Sequence, residues 1–256
     1  MDLELPLKSP FAADIYCTRG HVDWGAEELA LEYLQSRPRG AALDVGANMG
    51  YYTVLLAPVA ERVFSFEPDP RNHADFQRHQ PTNAVLVPVA IGNQVGEAGF
   101  DVSSGSTVGH LVLDDPQTGD IQVPMTTLDA FCESANLTTP VCFIKMDIEG
   151  YEILALQGSR RLIQKDRPVC LIEYSLDAGV ANTPEALAAF VSENDYAVYA
   201  MVRTERGPWH FETQLRSIEA EDLPHLNVKM LFLVPSEDAF FSNAQARGFC
   251  FERDVR

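Results

Sequence analysis

The stretch LDVGANMGYYT at Leu43–Thr53, followed by FSFEPD at Phe64–Asp69, decides the fold. Asp44 closes a short apolar run, Ala41–Val45, and Gly46 and Gly50 bracket a tight turn leading into a helix. Glu67 ends the next apolar run, Val63–Phe66. An acid at the end of one buried strand and a second at the end of the next is how an α/β sheet holds a ribonucleoside cofactor. The second acid accepts hydrogen bonds from ribose hydroxyls. A dinucleotide site wants G-x-G-x-x-G, because backbone must approach the pyrophosphate at a helix N-terminus. Here the spacing is Gly46-x-x-x-Gly50, and Asn48 stands where the second glycine would be. Asp44 would repel a diphosphate but could face an ammonium group. S-adenosylmethionine carries that group, a sulfonium and a ribose. A branched side chain at Gly46 would crowd the ligand's approach. The bland alternative is a strand–turn–helix with no ligand.

The 256 residues suffice for one α/β domain with insertions. With 46% hydrophobic and 22% charged residues the composition is that of a soluble globular protein. The formal charge of −18 argues against nucleic acid or an anionic membrane as a partner held by bulk charge. The start, MDLELPLK, lacks the basic and apolar regions of a signal peptide, and the apolar stretches are too short to span a bilayer. The five cysteines are scattered with no C-x-x-C pair, which speaks against zinc and dithiol chemistry and for a reducing, cytoplasmic compartment. Cys142 and Cys170 read as packing residues in buried strands.

Residues 1–39 read as an N-terminal cap with one helix at Trp24–Gln35, and 40–256 as a single domain. Strands at 41–45, 62–67, 84–91, 142–147, 169–174 and 196–201 alternate with helices at 48–59, 70–79, 150–164 and 184–194. Lys229–Val234 closes the series of strands. Such alternation gives a parallel sheet with helices on both faces and its ligands at the C-terminal strand edge. Residues 93–128 break the rhythm: Gly99–Val102, Thr107–Leu113 and Ile121–Met125 read as a β-hairpin or small meander inserted after the third strand. Residues 203–228, with Trp209, His210 and His225, read as a second, irregular insertion. Both could reach over the strand ends or be surface excursions.

IKMDIEGYE at Ile144–Glu152 forms a second cluster of acids. Asp147 ends a buried strand, Glu149 follows it, and the next strand, VCLIEYS, brings Glu173 to the same edge. The three carboxylates Asp147, Glu149 and Glu173 could hold a divalent cation, supply a general base for a hydroxyl or bind the cofactor's cationic end. They could equally be helix-capping and surface acids. Lys145 either pairs with one of them or sits at a sheet edge.

LDVGANMGYYT, FSFEPDP, VPVAIGN at Val87–Asn93, TTLDAF at Thr126–Phe131 and IKMDIEGYE, in that order, resemble the FkbM-type methyltransferases over roughly residues 40–175. The resemblance implies an S-adenosylmethionine-dependent enzyme that methylates hydroxyl oxygens of sugars, polyketides and other secondary metabolites. It also implies a Rossmann-like class I methyltransferase sheet of seven strands, the last antiparallel. On this resemblance Asp44, Gly46, Asn48 and Gly50 form the cofactor loop, which Tyr52 and Thr53 extend. Glu67 meets the ribose, with Pro68 after it; Ala90 and Ile91 lie near the adenine; Asp147, Glu149 and Gly150 match the family's D-x-EG. Tyr174–Ser175 departs from the family, which often has a histidine nearby. Asp147 is then the candidate base, or the ligand of a metal that acidifies the alcohol. Glu173 is the second candidate, and His110 or His210 are bases reaching in from the insertions. The expected acceptor is a small-molecule hydroxyl. The alternatives are a methyltransferase of protein or another macromolecule, and a binding module or nucleotide-binding oxidoreductase on the same fold.

Overall fold

A computed structural model describes residue 15 and residues 21–102, 109–112, 118–174, 183–207 and 210–254. About half of the expected N-terminal cap (residues 1–14 and 16–20), Trp209, both ends of Thr107–Leu113 and the side chain of His210 lie outside the described residues.

The main sheet grows outward from β1 (Ala41–Val45), which is buried throughout and pairs in parallel with β2 (Arg62–Phe66) and β8 (Val141–Met146). β3 (Ala84–Val87) extends the sheet beyond β2, and β9 (Val169–Glu173) extends it beyond β8, both in parallel. β12 (Met230–Pro235) adds antiparallel to β9, and β10 (Tyr196–Gly207) antiparallel to β12. The antiparallel strand expected at Lys229–Val234 is therefore present. It lies inside the sheet, between two strands that precede it in the chain.

Alternation distributes the strand side chains to two cores. Ala42, Phe143, Val169 and Leu171 pack on one face with Leu29 of α1 (Ala26–Gln35), Leu56 of α2 (Tyr51–Leu56) and Phe241 of α8 (Phe240–Ala246). Leu43, Ile144, Cys170 and Ile172 pack on the other with Leu128 of α4 (Leu128–Ser134), Ile153 of α5 (Glu152–Gln157), Leu162 of α6 (Arg160–Asp166) and Leu187 of α7 (Pro184–Asn194). Cys170 is fully buried and Cys142 partly so, as packing residues would be. No helix among the described residues is long and apolar enough to cross a membrane.

Four expectations are corrected. Among the described residues the sheet has nine strands rather than seven, because residues 203–228 are not irregular: β10 runs on to Gly207 and pairs with β11 (His210–Ile218), and β13 (Cys250–Asp254) adds beyond it. The strand expected over 84–91 is two strands. Pro88, which has no N–H to give a ladder, separates β3 from β4 (Ala90–Ile91), and β4 pairs with β7 (Ile121–Thr126) in a second sheet. That sheet, completed by β5 (Gly96–Asp101) and β6 (His110–Leu111), is the meander expected in the insertion. The helix expected over 150–164 breaks into α5 and α6 at Gly158, where a Cβ would lie 2.3 Å from the carbonyl oxygen of Gly92. The helix expected from Trp24 starts at Ala26, because Trp24 and Gly25 have φ of 60° and 94°, outside the helical region.

Candidate active site

The register of the main sheet aligns Val45 of β1 with Phe66 of β2 and Met146 of β8, so Gly46, Glu67 and Asp147 leave the sheet at one edge. Glu173 ends β9 opposite Met230 and reaches the same edge. Above this edge lies a cavity of about 260 Å³. Of the residues singled out in the sequence, Gly46, Asn48, Tyr52, Glu67, Pro68, Ala90, Ile91, Asp147, Glu149 and Glu173 line it. The insertion sheet contributes Phe100, Gly109 and Leu111 as a roof.

Glu67 is almost fully buried and pins the glycine turn. Its Oε2 accepts the Asn48 N–H at 2.8 Å, and its Oε1 accepts the Asp69 N–H at 2.8 Å and Asn72 Nδ2 at 3.2 Å. Burial pushes its pKa up, while these donors hold it back. Asn48 takes the left-handed conformation, with φ of 50°. Ala47 and Gly46 donate to the Phe66 carbonyl, so the turn is sewn to the end of β2.

Three of the expected cofactor residues do not line the cavity. Asp44 is fully buried beneath the turn, where its Oδ2 accepts Thr53 Oγ1 at 2.6 Å and its Oδ1 faces Lys145 Nζ at 3.8 Å. It is thus turned away from any ligand's ammonium: strand alternation, which sends Val45 and Leu43 to one core, sends Asp44 toward α2 and Thr53. Gly50 packs against the ring of Phe76. The reason for glycine at position 46 also differs from the expected one. A Cβ there would lie 1.9 Å from the backbone oxygen of Asp147, and φ is 78°, so the residue is required by the contact between two strand-end loops.

Lys145 is the residue whose importance the sequence understated. It is buried, and its Nζ donates to the Gly46 carbonyl at 3.2 Å, lies 3.4 Å from Asp147 Oδ2 and stands 5.1 Å from the centre of the Tyr52 ring. Burial disfavours its charge, but the carboxylates of Asp147, Asp44 and Asp23 outweigh that and lift its pKa above the ordinary lysine value. Asp23, from the loop before α1, also lines the cavity and was missed. Its Oδ2 accepts the Tyr52 hydroxyl at 2.6 Å. The available signal was the pattern Trp24-Gly25-x-Glu27, which repeats Glu149-Gly150-x-Glu152.

The loop after β8 is held open to the cavity by Glu152, which accepts the Ile148 N–H at 2.7 Å and the Gly150 N–H at 3.2 Å. Oxygens of Asp147, Glu149 and Glu173 lie within 4.8 Å of one another. Burial, and then the charges of Asp147 and Glu152, raise Glu149 to about 7. Burial, and then Asp147 and Glu149, push Glu173 well above the usual carboxyl range. His110 does not reach in. Its neighbours Gly109 and Leu111 line the cavity, and the intervening strand residue faces the opposite side.

No curated protein matches the chain. Among solved structures, it is similar to a methyltransferase FkbM from Methylobacillus flagellatus, with 20% identity, 76% of this chain and 43% of that chain covered, and a TM-score of 0.48. The chain thus spans less than half the length of that relative. It is also similar to a precorrin-6y C5,15-methyltransferase from Geobacter metallireducens, at 12% identity over 82% of this chain and 87% of that one, with a TM-score of 0.46. A magnesium protoporphyrin IX methyltransferase from Synechocystis with bound S-adenosylmethionine is 11% identical over 91% of this chain and 88% of that one, also at a TM-score of 0.46. The model of the methyltransferase FkbM domain matches residues 44–198, a span that contains the glycine turn, Glu67, the three clustered acids and more than half of the chain. The chain belongs to the FkbM methyltransferase family.

Proposed function

We propose that this protein transfers a methyl group from S-adenosylmethionine to a hydroxyl oxygen of a small molecule, such as a sugar or polyketide-type metabolite. One observation carries the reading: a single cavity joins a buried carboxylate at the glycine turn to a group of carboxylates at the neighbouring strand ends. The donor set fits the cofactor, with Glu67 for the ribose, Ala90 and Ile91 for the adenine and charged side chains for the amino-acid end. When bound, S-adenosylmethionine supplies a methyl group already activated by its sulfonium. The chain's own residues then have to align the acceptor, exclude water and take one proton from its hydroxyl.

Glu149 is suited to that last task, since a carboxylate titrating near 7 accepts a proton at neutral pH without being so weak a base as an ordinary glutamate. Asp147, paired with Lys145, orients the acceptor hydroxyl, and Glu173 supports Glu149. Phe100 and Leu111 roof the site and keep water from it. The close carboxylate oxygens favour a second reading of the same cluster, a divalent cation held by Asp147, Glu149 and Glu173.

The test is transfer of a labelled methyl group from S-adenosylmethionine across a panel of hydroxylated sugars and polyketides, with protein and RNA as macromolecular controls. Transfer to a small hydroxyl is expected, with Glu149→Gln lowering turnover by roughly 10²-fold or more. Activity abolished by chelator and restored by magnesium or manganese would move the cluster to the metal reading. Transfer only to protein or RNA would overturn the acceptor class.

A further inference from the structure

We propose that the amino-acid end of S-adenosylmethionine is clamped between Asp23, which takes its ammonium, and Lys145, which takes its carboxylate. Tyr52 fixes Asp23 for the task. The proposal rests on the cofactor reading above and adds to it a binding residue outside the matched domain, since Asp23 precedes residue 44.

Asp44 does not meet the ammonium. It was the natural partner for the cofactor's ammonium, but it lies under the turn with Thr53 and Lys145 and does not line the cavity. The ammonium therefore needs another anion. Glu67 is committed to the glycine turn at the ribose end, holding three donors. On the side where Tyr52 and Lys145 stand, Asp23 lines the cavity as a carboxylate fixed in place. Its Oδ2 takes the Tyr52 hydroxyl at 2.6 Å, and a carboxylate has further lone pairs to offer a cation.

The loop that carries Asp23 is not loose. Glu27 accepts the Asp23 N–H at 2.7 Å and the Gly25 N–H at 3.3 Å. Lys229 Nζ donates to the Val22 carbonyl at 3.0 Å, and Thr213 Oγ1 donates to the Trp24 carbonyl at 2.7 Å. The loop that carries Asp23 is thus tied to Thr213 of β11 and to Lys229, which immediately precedes β12. Lys145 supplies the opposite sign from below, against the face of Tyr52. A zwitterion laid across Tyr52 would meet a carboxylate at its ammonium and an ammonium at its carboxylate.

The experiment compares three ligands by calorimetry on the full chain: S-adenosylhomocysteine, decarboxylated S-adenosylmethionine and 5′-methylthioadenosine, which lacks the amino-acid end altogether. Asp23→Asn, which keeps the shape, should weaken S-adenosylhomocysteine by about 10- to 100-fold, the scale of a lost charge-assisted hydrogen bond. It should leave methylthioadenosine within about twofold, on the same scale of precision. Lys145→Gln should weaken S-adenosylhomocysteine but not the decarboxylated ligand. Tyr52→Phe, the mildest change, should weaken S-adenosylhomocysteine by a few fold and so keeps the test open if Lys145→Gln fails to fold. An Asp23→Asn variant that binds S-adenosylhomocysteine unchanged, or loses both it and methylthioadenosine equally, overturns the clamp alone. A wild type that binds none of the three overturns the cofactor reading and the clamp with it.

Discussion

In the loop before α1, Glu27 reaches back to accept the N–H groups of Asp23 and Gly25 at 2.7 and 3.3 Å; in the loop before α5, Glu152 does the same for Ile148 and Gly150 at 2.7 and 3.2 Å. Each loop turns through two left-handed residues, Trp24 and Gly25 in the first (φ 60° and 94°), Glu149 and Gly150 in the second (φ 54° and 99°). The difference lies in what the first left-handed residue carries. Trp24 lies beneath two cations, Arg203 at 5.5 Å and Lys229 at 5.9 Å from its ring, and ties its loop to β10 and the start of β12. Glu149 instead presents a carboxylate to the cavity. A glycine followed two residues later by a buried glutamate thus fixes the backbone, and the residue before the glycine is left free to anchor the loop or to serve the site.

The strongest test of that reading is Glu152→Ala. It strands two backbone N–H groups in a buried loop and should cost about 2–6 kcal/mol, at roughly 1–3 kcal/mol for each, read from urea unfolding. Glu27→Ala strands the equivalent pair, but Thr213 and Lys229 still hold the neighbouring carbonyls. Its cost should be about half as large. Should Glu27→Ala prove the more damaging, the two closures are not equivalent and the N-terminal loop carries more of the fold than its twin.

The next difference is in pH. Glu149 has a folded pKa near 7 against an unfolded value near 4.5, so its stabilising contribution is complete below about 4.5 and is lost as pH rises through 7. Glu149→Gln should flatten stability against pH across that window. A Trp24→Phe variant should leave the slope as it is, since no charge is altered. Denaturant midpoints measured from pH 4 to 8 would compare the two. An unchanged slope for Glu149→Gln would mean that the carboxyl is better solvated than its position implies.

The smallest effect is conformational. Glycine adopts the left-handed region without the strain other residues carry there, about 1 kcal/mol. At pH 4, below its folded pKa, Glu149→Gly should gain up to about that amount, whereas Trp24→Gly should lose stability because the ring's packing goes with it. Both are read by thermal melts. A gain at both positions would mean that the tryptophan anchors nothing.

The same contrast explains what the sequence disclosed. Ala41–Val45, Val141–Met146 and Val169–Glu173 are short, apolar and bounded by turn residues, and burial on both faces leaves that pattern few other readings. Residues 203–218 gave no such signal: charged and polar residues fill the second half of β10 and much of β11, and their hairpin is fixed by pairing across strands rather than by a run of apolar residues. The acids at 147, 149 and 173 were legible because strand ends are legible. Asp23 was not, since its approach to the cavity depends on β11 and β12, nearly two hundred residues away, tying down the loop that bears it. Asp44 was legible as a buried acid but not in its direction, which only the pairing with Lys145 and Thr53 decides.

The change of sheets at Pro88 has a consequence for engineering. The insertion sheet has its own apolar cluster of Ala98, Phe100, Leu111, Val123 and Met125, and it meets the rest of the chain through Ile148 and Tyr151, whose hydroxyl donates to the Leu111 carbonyl. The chain leaves the main sheet after Val87 and returns at β8, so exchanging residues between β4 and β7 alters no strand pairing of the main sheet. The roof is therefore a graftable part. On the proposed function, a roof transplanted from a relative with a different acceptor, cut after Pro88 and before Thr127, should redirect the choice of acceptor; it exchanges Ala90 and Ile91 along with the roof and keeps Gly46, Glu67 and Lys145 at the edge of the main sheet.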